Sequence, residues 1–209
     1  MLHFLFKDNW GLSPIGKNGQ LGTVPNWENG GFMKKIGSQT IQFINAPTII
    51  ETSSIVGPKE SQGPLATYFD QCLEDEFWGE ETWEKAESKI IKENVNSVIL
   101  KSGIAATDID FCFAGDLLNQ CISSSFGLRE LNMPFFGVFG ACSTFVESMC
   151  LGSVFIASGA ASNVLCATSS HFCSAEKQFR FPLELGNQRP PTAQWTVTGS
   201  GAAILSTNG

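Results

Sequence analysis

Apolar and polar residues recur along the chain in patterns that predict packed layers of helices and strands. The clearest helix follows Thr82, a good N-cap residue, and ends at Gly103. A buried strand is predicted for the apolar run from Phe111 to Ala114, which ends at Gly115 and Asp116. The apolar residues of the helix fall on one stripe, which predicts packing on a sheet: Trp83, Ala86, Ile90, Ile91, Val95, Val98 and Ile99.

The second half of the chain continues the alternation. The apolar segment from Met133 to Phe139 predicts a strand, and a helix pattern starts at Ser143 or Thr144 and runs to about residue 157. Residues 164–167 and 199–206 predict two further strands. Residues 148–175 lack Asp, Glu, Lys and Arg, and their length alone would suit a membrane span. Glycines and polar residues divide this run, so we predict a buried helix instead.

The first part of the chain has a different composition. Residues 1–32 are rich in Gly, Asn, Trp and Pro, and we interpret them as a poorly ordered leader or extension before a domain at 33–209. The segment from Gln39 to Val56 predicts the first strand pair. Acidic residues between Asp70 and Glu81 indicate a solvated face, and their spacing does not favour calcium coordination.

Composition and charge exclude some classes of function. The chain has 209 residues, 43% hydrophobic and 16% charged, which is enough to bury a core. A net charge of -7 without clustered Lys and Arg argues against nucleic acid binding. Seven cysteines without a Cys-x-x-Cys pair indicate reduced thiols in the cytoplasm.

Cys142 carries the clearest candidate chemistry, because it stands at the predicted turn between a strand and a helix. The free N–H groups and the positive end of a helix N-terminus stabilise a thiolate or bind a carboxylate, and Gly140 lets a ligand approach. The same geometry forms the nucleophile elbow of hydrolases. A free cysteine is also often a small buried apolar residue, so both interpretations stay open here.

A second candidate region follows the strand predicted at 164–167. His171 fits either a structural role or an acid–base role, and with Cys173 it supplies only two metal ligands, so we predict no metal site. Without other information, the region would equally suit a surface loop. Its polar and basic groups are His171, Lys177, Gln178, Arg180, Gln188, Arg189, Thr192 and Thr196.

Several short motifs, taken together and in order, resemble the stage V sporulation protein AD family. They are GACST at 140–144, AGDLLNQ at 114–120, ATSSH at 167–171, QFR at 178–180, and PPTA to TVTG between 190 and 199. The resemblance begins near Met33 and implies the thiolase fold. We therefore expect an α/β layered domain, the N-terminal half of a thiolase-like fold, with a five-stranded mixed sheet and packed helices.

The resemblance also implies a function. Members of this family bind dipicolinic acid, pyridine-2,6-dicarboxylate, and take part in its uptake into the developing spore. This implies non-catalytic binding without a cofactor, membrane proteins of the spore dipicolinate channel as partners, and a cytoplasmic location peripheral to the inner forespore or spore membrane. The role of calcium stays open. The residues expected to bind the ligand are Cys142, Ser143, His171, Lys177, Arg180, Arg189 and Thr192.

Departures from the wider thiolase superfamily define the alternatives. In its enzymes the cysteine takes the acyl group with help from second-half histidine or asparagine residues, and His171 does not correspond to these. An acyltransferase with Cys142 as nucleophile is the alternative function, and a structural subunit that docks on a membrane channel is a third. A half-fold would leave an apolar face to cover, which predicts a homodimer or poor solubility.

Overall fold

The computed structural model describes residues 32–182 and 192–207, and their contacts group into two units. In the first unit, which ends at Ile44, β1 (Met33–Ile36) pairs antiparallel with β2 (Thr40–Phe43). Gly37 closes this hairpin with φ of 62°, a left-handed conformation that glycine adopts without steric cost. The second unit begins at Asn45 and contains the remaining elements.

The second unit is built on one mixed sheet. Across the described residues, its six strands lie in the order β4-β3-β8-β7-β5-β6, with β8 antiparallel to both neighbours. The predicted layered α/β domain with a mixed sheet is thus confirmed, with six strands rather than five. The additional strand is the two-residue β4, too short for a sequence pattern. The strands are β3 (Thr48–Val56), β4 (Gln71–Cys72), β5 (Phe111–Gly115), β6 (Phe135–Gly137), β7 (Asn163–Ser170) and β8 (Gly199–Ser206).

One face of this sheet is covered by α1 (Trp83–Ser102) and α2 (Ile122–Leu128). The predicted ends of α1 are confirmed, because Thr82 Oγ1 accepts a hydrogen bond from the Lys85 backbone N–H and Gly103 is left-handed with φ of 70°. The stripe from Ile90 to Val98 is fully buried against the sheet. Each such aliphatic side chain contributes roughly 1.5–3 kcal/mol by leaving water.

The opposite face is covered by α3 (Thr144–Ala157). A helix in the long uncharged run is thus confirmed, but only its sheet-facing side is buried, because Val146, Cys150 and Leu151 are exposed. Gly152 brings α3 close to the sheet, since a Cβ built there would stand 2.9 Å from Val164 Cγ1 and 3.1 Å from Leu205 Cδ1. A shorter helix, α4 (Phe172–Phe179), follows β7. Within the described residues, none of the helices has both the length and the hydropathy needed to cross a membrane.

The predicted first strand pair is wrong. The residues expected to pair with each other lie in β2 and β3, but β2 pairs with β1, and β3 pairs with β8 and β4. The reason is that β8 can reach β3 closely. Gly199 has no side chain at the point where an added Cβ would stand 2.7 Å from the Ile55 carbonyl oxygen. Such pairing joins residues about 150 positions apart, which local patterns do not reveal.

Candidate functional site

The turn that carries Cys142 joins β6 to α3, as the sequence predicted. After β6, the Val138 N–H donates to the Ala114 carbonyl, and residues Ala141–Ser143 form one 3-10 turn before α3. Ala141 has φ of 50°, which is uncommon for a residue with a side chain. Sparsely populated backbone conformations of this kind concentrate at functional sites.

Cys142 is exposed and lines a cavity of about 630 Å³ on the α3 side of the sheet. The walls combine apolar and aromatic side chains with hydroxyl and amide groups. Among the described lining residues, none carries a charge. Besides Cys142 itself, the lining residues are Ser54, Val56, Phe69, Leu117, Ala141, Phe145, Thr168, Ser169, Ser170, Gln194, Trp195, Thr196, Val197, Gly199, Ser200 and Gly201.

The alternation of side chains along β7 and β8 forms the floor of this cavity. Thr168 and Ser170 project on the α3 side, whereas Ser169 projects towards α1 and donates to Glu87. On β8, Gly199 and Gly201 leave the floor without side chains, and a Cβ built on Gly201 would meet no atom within 4 Å. Space for a ligand therefore exists where β8 lacks side chains.

Three hydroxyl groups of the cavity wall donate their protons to the protein. Thr168 Oγ1 donates to the Gly115 carbonyl at 3.1 Å and Ser170 Oγ to the Val197 carbonyl at 2.6 Å. Ser54 Oγ likewise donates to the carboxylate of Asp70. These oxygens consequently offer lone pairs to the cavity rather than protons.

Trp195 forms part of the rim. Its ring stacks on Phe172, with centroids 5.2 Å apart and planes inclined by 29°. The Lys59 ammonium lies 3.7 Å from the centroid of the same ring. Thr198 fixes this corner, because its Oγ1 accepts from the Phe172 N–H at 3.0 Å and its carbonyl accepts from the Gly57 N–H at 2.8 Å.

His171 does not line the cavity; it is fully buried at the start of α4. Its Nδ1 accepts a hydrogen bond from the Cys173 N–H at 3.2 Å, which requires that nitrogen to be unprotonated. Its Nε2 stands 2.8 Å from the Glu76 carbonyl oxygen and therefore donates to it. Both ring nitrogens thus hold the acidic segment and α4 in place. The Glu76 carboxylate also accepts from the Cys173 thiol at 3.0 Å, and burial together with this contact raises the pKa of Cys173 to about 12.

The predicted cations have carboxylate partners in the protein. Lys177 Nζ lies 2.9 Å from Glu84 Oε1, and Arg180 lies 3.2 Å from Glu176 Oε2. Neither of them lines the cavity. Arg189, the third predicted cation, lies outside the described residues.

Two predicted polar residues are also placed outside the cavity wall. Ser143 is exposed, donates to the Gly140 carbonyl at 2.7 Å and contacts Glu147. Thr192 is exposed, three positions before Trp195. The structure thus places Cys142 at the cavity without the other predicted ligand-binding residues in its described wall.

The AGDLLNQ motif forms the loop between β5 and α2. Asp116 is buried and accepts hydrogen bonds from the N–H groups of Leu118 and Ser124 and from Ser124 Oγ. The Asn119 N–H donates to Gln178 Oε1 at 3.2 Å, so this motif meets the QFR motif. Asp116 therefore shapes the loop rather than facing the cavity, although its neighbour Leu117 lines the cavity wall.

Sequence reasoning missed most of the apolar wall, in particular Phe69, Phe145 and Trp195. These residues come from three separate segments, and each alone is typical of a core or surface aromatic residue. One usable signal existed in β7, where polar Thr168 and Ser170 continue the face that Val164 and Cys166 begin.

Comparison with solved structures identifies the class of fold. The 3-oxoacyl-[acyl-carrier-protein] synthase III from Aquifex aeolicus VF5 superposes with a TM-score of 0.53 at 16% identity, over 77% of this chain and 53% of that chain. A variant of OleA from Xanthomonas campestris gives a TM-score of 0.51 at 12% identity, over 77% of this chain and 56% of that one. The fold is therefore thiolase-like, as in these synthases, and at such identities the likeness concerns the fold alone.

Within that class, the chain belongs to the stage V sporulation protein AD (SpoVAD) family, whose model matches residues 37–209. It is 41% identical over 174 residues to stage V sporulation protein AD of Bacillus subtilis (strain 168). That match covers 83% of this chain and 52% of the relative, so the chain spans about half the length of that protein.

Proposed function

We propose that this sporulation-family protein binds dipicolinic acid, without catalysis, in the cavity beside Cys142, for uptake of the ligand into the developing spore. The observation that carries the proposal is the cavity itself. It is open beside Cys142, has an uncharged described wall, and has a volume of about 630 Å³, within the range of small-molecule sites. The family membership of the chain supports the choice of ligand.

The walls suit the pyridine ring of this ligand. Phe69, Phe145 and Trp195 supply apolar and aromatic surface, and aromatic rings pack well against such walls. Donors for the two carboxylates are the side chains of Gln194 and Thr196 and the turn at the N-terminus of α3.

The predicted cations remain part of the proposal as carboxylate partners. To bind a ligand carboxylate, Lys177 would have to break its ion pair with Glu84, and Arg180 would have to break its ion pair with Glu176. The double variant R180A/R189A tests this role: weaker dipicolinate binding in a folded protein would support the two arginines as partners, and unchanged affinity would exclude them.

Calorimetric titration of the folded protein with dipicolinate, with and without calcium, tests the binding itself. We expect saturable binding that prefers the dicarboxylate over pyridine-2-carboxylate. The variant G201V locates the ligand, because its side chain would project into open cavity space from a strand that accepts valine. We expect at least tenfold weaker binding at unchanged thermal stability, and full affinity in G201V would place the ligand elsewhere.

The proposed partners are membrane proteins that move dipicolinate into the spore, and the proposed location is the cytoplasmic side of the inner forespore membrane. Fractionation of sporulating cells tests this directly. The chain should sediment with membranes when these partners are present and stay in the supernatant when they are deleted.

The second candidate function is acyl transfer with Cys142 as nucleophile. It is favoured by the exposure of Cys142 at the cavity, next to a residue with a left-handed backbone. One observation argues against it. Within the described residues the histidine that could activate the thiol is His171, and both of its ring nitrogens form hydrogen bonds away from the cavity. Incubation with acyl-coenzyme A would give a stable mass increase lost in C142A if this function holds, and no adduct would exclude it.

A further inference from the structure

Lys59 differs from most other cations of the second unit in its surroundings. Lys85, Lys89, Lys92, Lys101, Lys177 and Arg180 each form an ion pair with a carboxylate. Within the described residues Lys59 forms no ion pair, and its ammonium lies over the ring of Trp195 instead. Since Trp195 lines the cavity, an ammonium group that forms no ion pair with the described residues stands at the rim of the proposed site.

The backbone of the turn that carries Lys59 is held in place by hydrogen bonds to a neighbouring segment. The turn after β3 is fastened to residues 195–198, because the Gly57 N–H donates to the Thr198 carbonyl at 2.8 Å and Glu60 Oε1 accepts from the Thr198 N–H at 3.1 Å. A Cβ on Gly57 would stand 2.8 Å from Thr198 Cβ, so only glycine lets these segments approach so closely.

We propose that Lys59 is a ligand-binding residue of the cavity, and that its ammonium pairs with a carboxylate of the bound aromatic acid at the rim beside Trp195. The described cavity wall has no charge, so a counter-charge for an anionic ligand must come from a cation beside the wall. Lys59 can supply this charge without first breaking an ion pair with a described carboxylate. Its exposed, flexible stem lets the ammonium leave the ring and meet the ligand.

This inference rests on the proposed function and is tested by titration of variants of this chain with dipicolinate. We expect K59Q to bind about fivefold more weakly, the size of one partly exposed ion pair. The salt dependence of its affinity should be shallower, since one charge pair is absent. K59R should restore both properties. The matched control K85Q removes a paired surface charge on α1 and should bind as the wild type.

A neutral ligand of the same shape separates charge from shape. Pyridine-2,6-dicarboxamide carries no carboxylate, so the difference between K59Q and the wild type should vanish with it. Dipicolinate binding with equal affinity and salt dependence in K59Q would overturn the role of Lys59 alone. No saturable binding by the wild type would overturn the proposed function and this assignment with it.

Discussion

At the scale of single residues, Glu87 is the most unusual side chain of the fold. It lies on α1, is fully buried, and accepts hydrogen bonds from Ser169 at 3.2 Å and Ser174 at 2.8 Å. Burial without a cation raises its pKa to about 8, and the negative charge of Asp116 adds to the increase. Glu87 therefore keeps its proton at neutral pH, because an ionised carboxylate in the core would be costly.

The first prediction concerns the pH dependence of stability. Between about pH 4.5 and 8 the unfolded chain releases the Glu87 proton and the folded chain keeps it. The free energy of unfolding thus decreases as pH rises, by up to roughly 1.4 kcal/mol per pH unit. The variant E87Q keeps the shape of the side chain but has no proton to release. We therefore expect it to be more stable than the wild type at pH 8 and to lose this advantage towards pH 5. Urea unfolding at several pH values measures the difference.

Glu84 provides the control for this measurement, since it lies one turn earlier on α1 and is partly exposed. Its hydrogen bond to Lys177 lowers its pKa, so its ionised form stabilises the fold and that contribution is lost as pH falls. E84Q should gain nothing at pH 8. Parallel stability curves for E87Q and the wild type would show that Glu87 is already ionised at neutral pH.

At the scale of elements, the packing of α3 on the sheet depends on Gly152. A valine there would gain helix propensity over glycine by under 1 kcal/mol. It would also press its side chain against Val164 and Leu205, and overpacking in a close-packed core typically costs about 1–3 kcal/mol. We expect G152V to lower the free energy of unfolding by roughly 1–3 kcal/mol, measured by chemical denaturation.

The same substitution on the opposite side of α3 is its control. Cys150 is exposed, so C150V should change stability by no more than about 0.5 kcal/mol. If G152V and C150V were equally stable, the close approach of α3 to β7 and β8 would not limit the size of the side chain at position 152.

Elements were predictable where local chemistry decides them. Thr82 and Gly103 mark the ends of α1, and the turn at Cys142 follows from an apolar run that meets glycine before a helix pattern. The partners of β3 were not predictable, because register with β8 depends on residues distant in sequence. The residues of the candidate site likewise fall into those that local sequence predicts and those that it does not. Cys142 was found from its local turn, whereas Trp195 and Lys59 meet only after β3 and β8 have paired.

At the scale of the whole molecule, the outer face of α3 has an unusual composition. Exposed helix faces usually carry several charges, but α3 has only Glu147. Val146 and Leu151 are 60% and 41% exposed, and Cys150 lies exposed between them. An apolar stripe that has a single charge beside it can pack against its own copy about a two-fold axis. This observation supports the homodimer predicted from the sequence.

The prediction is that the chain dimerises through this stripe of Val146, Cys150 and Leu151. Sedimentation velocity at micromolar concentrations should show a dimer for the wild type. V146K should be a monomer, because association would bury the ammonium group of each copy at the contact, and burial of a charge is costly. L100K places the same charge on an 82% exposed leucine of α1 and should remain dimeric. A monomeric wild type would contradict self-association, and a dimeric V146K would assign the contact to another face.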